Sequence, residues 1–127
     1  MQRIELDNFR VFGTPASFDL APVTVLTGKN NSGKSSLIKA FLVLADYLEQ
    51  EDQTVLRLDG PRASRHKISS FDYLKNWDND SAVVSLGYAI GDYEFRYEFT
   101  QLLESEPAQL TQFRMVAKPI GEELTAF

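Results

Sequence analysis

Residues 28–35 read Gly28-Lys29-Asn30-Asn31-Ser32-Gly33-Lys34-Ser35, and few strings of this length restrict a fold as tightly. They satisfy G-x-x-x-x-G-K-[ST] at every required position, and that pattern works only between a strand and a helix. Both flanks comply. Residues 22–27 are a short apolar, β-branched run, and residues 36–45 continue with helical spacing. The reading is a strand, a phosphate-binding loop and a helix that take a nucleoside triphosphate with magnesium.

Each residue type has a physical task there. Gly28 and Gly33 let the backbone turn and approach a polyphosphate with no Cβ in the way. Successive N–H groups then form an anion nest at the positive end of the following helix. Lys34 supplies a cation for the β- and γ-phosphates, and the Ser35 hydroxyl is placed to ligate magnesium. Asn30 and Asn31 tolerate left-handed backbone geometry, which suits the bend.

The totals narrow the class. At 127 residues, 43% hydrophobic and 12% aromatic, the chain is one domain or part of one and can bury a core. A net charge of −5 argues against a surface that is wholly a nucleic-acid platform. The absence of cysteine excludes disulfides and thiolate metal sites, and one histidine, His66, is too few for a histidine-rich metal centre. No apolar run approaches the ~20 residues that span a bilayer. Met1 leads straight into polar sequence with no signal-peptide core, so a cytoplasmic protein without membrane contact is expected.

Periodicity places the remaining elements. Residues 2–9 alternate, with Ile4 and Leu6 on one face, and 16–20 form a second short strand. A helix over 34–50 carries Leu37, Phe41, Leu44 and Leu48 as one apolar stripe. Residues 49–67 are polar, with a turn at Asp59-Gly60-Pro61 and a loose basic cluster of Arg57, Arg62, Arg65, His66 and Lys67. A loop over 70–80 holds one helical turn near Tyr73-Leu74. Strands over 82–90 and 93–100 then meet at Gly91-Asp92, where glycine first suits a type II′ turn. Tyr93, Phe95, Tyr97 and Phe99 share one face of the second strand, as a core layer would. Another strand covers 110–116, and Lys118-Pro119-Ile120-Gly121 turns into one more.

The opening Ile4-x-Leu6-x-Asn8-Phe9-Arg10-x-Phe12, together with residues 25–40, resembles the ABC-type ATPase heads of the RecF, SMC and OLD families. The Asn30-Asn31-Ser32 form is most similar to the OLD-like, AAA-labelled bacterial ATPases. The likeness is specific over 1–45 and weaker over 68–116. It implies an α/β P-loop NTPase fold: an ABC-type head lobe with N-terminal strands, P-loop helix and antiparallel β arm, incomplete as it stands. The divisions would be strands, loop and helix over 1–50, a polar connection over 51–81 and the arm over 82–127. Gly28, Lys29, Asn30, Asn31, Ser32, Gly33, Lys34, Ser35 and Ser36 would hold ATP and Ser35 would hold Mg2+. Arg10 would lie near the nucleotide with the γ-phosphate in reach, the alternative being a solvated arginine at a strand end.

The resemblance also implies an ATP-bridged homodimer of heads, serving DNA maintenance or anti-phage defence. The basic cluster over 57–67 reads as a solvated loop, with nucleic-acid backbone as its alternative. Catalytic residues are not assignable: no Q-loop, signature motif or Walker B carboxylate is found, and the acids Asp92 and Glu94 belong to the hairpin. The competing classes are a degenerate nucleotide-binding module without catalysis and another P-loop NTPase, such as a kinase or GTPase. The run over 23–27 has no parallel partner strand, so the chain is expected to be a fragment or half of a split head, completed by the rest of that head.

Overall fold

Alternating side chains set the first layer. In the computed structural model, which describes residues 2–21, 33–117 and 122–126, seven strands form one sheet and every pairing is antiparallel. They are β1 (Arg3–Asp7), β2 (Ala16–Asp19), β3 (Val55–Leu56), β4 (Val83–Ile90), β5 (Tyr93–Thr100), β6 (Ala108–Ala117) and β7 (Glu122–Ala126). The order is β2-β1-β4-β5-β6-β3, with β7 also on β6. The expected arm is therefore continuous with the N-terminal strands, because β1 pairs with β4 from Arg3↔Ala89 to Asp7↔Ser85. The strand expected over 22–27 and the turn over 118–121 lie outside the described residues.

Register makes one face apolar. Ile4, Tyr88, Phe95 and Met115 lie in one cross-strand row, and Leu6, Leu86, Tyr97 and Phe113 in the next. Arg3, Glu5, Asp7, Glu94, Arg96 and Glu98 fill the opposite face, where Arg3 pairs with Glu5 and Glu94, and Arg96 with Glu98 and Asp7. The β4–β5 turn has Gly91 at φ 58° with no positive φ at Asp92, the type II′ arrangement expected of Gly91-Asp92. A bulge follows Glu98, which brings Leu110 opposite Phe99.

Helix α1 (Lys34–Glu49) covers the apolar face. Its Tyr47 ring stands edge-on to Tyr97 and Phe99, with centroids 5.1 and 4.9 Å away, and its hydroxyl donates to the Gln53 carbonyl at 2.7 Å. Truncating a buried ring of this kind costs on the order of 3–5 kcal/mol. The stripe differs from the expected one: Leu37, Ala40, Val43, Leu44 and Tyr47 are buried, whereas Phe41 and Leu48 lie half-buried at its edge. The helix is thus rolled toward its small residue, Ala40, which lets the backbone approach the sheet.

Two short elements, β3 and α2 (Ala63–His66), interrupt the connection that composition alone marked as polar loop. α3 (Phe71–Leu74) is the helical turn expected near Tyr73-Leu74.

Candidate nucleotide site

The loop residues Gly28, Lys29, Asn30, Asn31 and Ser32 lie outside the described residues; the site is built from Gly33 onward. Gly33 has φ +90°, a left-handed value that favours glycine, and it leads directly into α1. The N-cap residue, Gly33, has no side chain to cap the helix, and among the described residues the first turn holds no acid. Its positive end is therefore left for an external anion.

Lys34 and Ser35 of α1, with Ile38 and Lys39 one turn on and Arg65 of α2, line a hollow of about 420 Å3. No carboxylate is among these residues, in a chain whose net charge is −5. Lys39 Nζ also donates to the His66 carbonyl. Burial first, and then the positive charges of Arg10 and Lys67, hold its ammonium below the usual lysine range. Cations thus converge on the start of α1 from three separate stretches of chain. A wider groove, about 670 Å3, runs between residues 56–71 and the β5–β6 connection. Its rim carries both signs, Arg57 and Lys67 against Asp59, Glu104 and Glu106, so it offers a triphosphate no comparable field.

Arg10 reaches the neighbourhood by an unusual backbone. Asn8 and Arg10 have φ 57° and 48°. Asn8 is buried and donates through Nδ2 to the carbonyls of Ser81 (2.9 Å) and Val83 (3.0 Å), while its Oδ1 accepts from Asn76 N–H at 3.2 Å. That side chain ends β1 and aims the next residues. Arg10 Nη1 then donates to the Tyr73 carbonyl at 3.0 Å, and the Arg10 Nε is buried without a hydrogen-bond partner.

Arg65 is held in place by its neighbours. Arg62 donates its backbone N–H and Nη1 to Asp46, whose side chain is only 2% exposed, and Nη1 and Nη2 to Glu49. His66 is buried behind it, its Nδ1 accepting the Ile68 N–H at 2.9 Å and its Nε2 lying 3.9 Å from Asp46 Oδ2. The basic cluster expected over 57–67 is therefore not one exposed patch. Arg62 and His66 turn inward, Arg57 pairs with Asp59, Arg65 lines the hollow at the start of α1 and Lys67 lines the wider groove. Asp46 and Lys39 had escaped notice in the sequence. An acid inside the apolar run Leu42-Val43-Leu44-Ala45-Asp46-Tyr47-Leu48 was a signal for the first.

Residues 1–117 match the AAA ATPase domain family. The chain belongs to that family. The match covers the described strands β1–β6, all three helices and the cationic hollow, and it marks an ATPase-type, nucleotide-binding region. Nucleotide, with magnesium as its usual companion, is what an AAA ATPase domain implies, and the donor set fits: three cations, an exposed serine hydroxyl and an uncapped helix start. No curated protein is significantly similar to this AAA ATPase domain. None of its described helices is long and apolar enough to cross a membrane.

Proposed function

We propose that this AAA ATPase domain is the N-terminal, ATP-binding part of an ABC-type ATPase head of the RecF/SMC/OLD-like group. The observation that carries the reading is the acid-free cationic hollow at an uncapped helix start, placed directly after the G-x-x-x-x-G-K-S string. Residues 28–36 would cradle the phosphates, Lys34 would neutralise the terminal ones and Ser35 would hold Mg2+. Bound MgATP supplies the phosphoanhydride bond and the charge neutralisation its cleavage needs. Arg10 adds a cation within electrostatic reach of Lys39. No carboxylate among the described residues lines the hollow, so binding without turnover is expected of this chain alone. Head dimerisation through ATP and a role in DNA maintenance or anti-phage defence follow from the same resemblance. The inward turn of Arg62 and His66 weakens the basic cluster as a track for nucleic-acid backbone.

The test is calorimetric titration of the purified chain with MgATP and MgADP, alongside a phosphate-release assay. Lys34→Ala should abolish binding, Ser35→Ala should remove its magnesium dependence, and Arg10→Ala should weaken ATP more than ADP. Turnover by the wild-type chain would show that the catalytic carboxylates lie within it. Undiminished ATP affinity in Lys34→Ala would remove the site altogether.

A further inference from the structure

Val11 lies beside the start of α1, and two further exposed apolar side chains, Tyr73 and Trp77, belong to a segment hydrogen-bonded to the Val11 turn. Val11, Tyr73 and Trp77 are 58%, 60% and 87% exposed. Isolated surface apolar groups need no explanation, but these belong to two segments fastened to each other. The 9–12 turn is closed by the paired bonds Phe9 N–H to Phe12 O (3.0 Å) and Phe12 N–H to Phe9 O (2.8 Å). It is tied to the other segment by Arg10 N–H to Leu74 O at 2.8 Å and by Asn76 Nδ2 to Arg10 O at 2.5 Å. On its other side the turn abuts the helix start: a Cβ built on Gly33 would lie 3.1 Å from Phe12 Cζ and 3.4 Å from Val11 Cγ2.

We propose that Trp77 and Tyr73, with Val11 beside them, form the platform on which the base of a bound nucleotide stacks. The inference rests on the reading that the start of α1 holds the triphosphate. Among the described residues the hollow is lined by Lys34, Ser35, Lys39 and Arg65 with one aliphatic side chain, Ile38, so it suits phosphate and these residues offer a base no aromatic face. The 71–77 segment, hydrogen-bonded to the turn that packs on Gly33, carries such faces. They are braced through backbone hydrogen bonds, so little conformational freedom is lost when a ring settles on them. Stacking accepts any base, so the platform would set affinity for nucleosides over bare phosphates rather than choose among bases.

Trp77 is the chain's one tryptophan, so its fluorescence reports on this surface alone. MgATP should change the emission of the wild-type chain and magnesium tripolyphosphate should not. Trp77→Ala and Tyr73→Ala should each weaken ATP roughly five- to a hundredfold while leaving tripolyphosphate affinity unchanged, and Trp77→Phe should recover most of the loss. Unchanged ATP affinity in both alanine variants overturns the proposal, as does an equal loss for ATP and tripolyphosphate. A fall in oligomeric state with ATP affinity intact overturns it in favour of a protein contact. Wild-type affinity for tripolyphosphate equal to that for ATP removes the platform but leaves the phosphate site. Failure of both ligands to bind the wild type removes the nucleotide reading and the platform with it.

Discussion

His66 sits where a positive charge is least welcome. Its ring is buried, Nδ1 is committed as an acceptor to the Ile68 N–H, and Lys39 faces it from α1. Burial pushes its pKa below the ordinary 6.5; Asp46 pulls upward and Lys39 adds to the lowering. The sign follows. A lowered folded-state value means the unfolded chain binds the proton first, so stability is held above about 6.5 and lost as pH falls from there through the lowered value. His66 is the only histidine, and the carboxylates Glu49, Asp52 and Asp59 are held below their ordinary values by hydrogen bonds, so their losses come at more acid pH. His66→Asn keeps an acceptor for Ile68 N–H and cannot take up the proton. Melting temperatures measured downward from neutral pH should fall for the wild type and stay nearly flat for this variant; parallel curves would show that another group titrates. Residues of this kind are the hardest to read in advance. Lys34 and Ser35 announce themselves through a local string, whereas the burial of His66 and Asp46 is created by the packing of α2 on α1, which no local string records.

At the scale of the element, α2 is a short strap whose own four residues could not hold a helix in water. It is held by Asp46, which accepts the Arg62 N–H and guanidinium, and by Lys39 beneath the His66 carbonyl. Gly60 is part of the fit, because a Cβ there would come 2.8 Å from Asp46 Oδ2. Asp46→Ala should cost on the order of 1–3 kcal/mol, since it leaves the Arg62 N–H without its acceptor and the guanidinium with Glu49 alone. Urea unfolding would measure the loss, and hydrogen exchange would place it first in 61–67; a change under 0.5 kcal/mol, the usual range for surface substitutions, would mean the strap is held otherwise. The long elements were legible because periodicity accumulates over many residues: α1, the β4–β5 hairpin and the face of Tyr97 and Phe99 all follow from spacing. β3 and α2 were not, since two and four residues carry no period and exist only against neighbours. The phase of the α1 stripe slipped for a related reason. Leucine and phenylalanine weigh heavily in a hydrophobic pattern, whereas Ala40 and Tyr47 are buried by close approach and by a hydroxyl that finds the Gln53 carbonyl.

The whole molecule, among the described residues, is one sheet with a helix on its apolar face and a lattice of opposed charges on the other. The cover is uneven. Tyr47 closes over Tyr97 and Phe99, but toward the hairpin tip Tyr88, Phe95 and Phe113 are half-buried and stacked, and Ile90 and Tyr93 are 48% and 49% exposed. We propose that the remainder of the head covers this end, and the isolated chain should then bind a hydrophobic dye and self-associate. Tyr93→Ser with Ile90→Thr should reduce both without lowering the melting temperature by more than a few degrees. A monodisperse wild-type chain that ignores the dye would identify a surface that is finished as it stands. The position of β1 between β2 and β4 bears on how the molecule is made. β4, β5 and β6 are each next to their successor in sequence, so β4 to β7 can zip together in the order they are synthesised. β1 is translated well before β4, yet one of its two edges has no partner until β4 follows. β1 is therefore a keystone set late, and Asn8, Arg10 and the turn against Gly33 reach their places only with it.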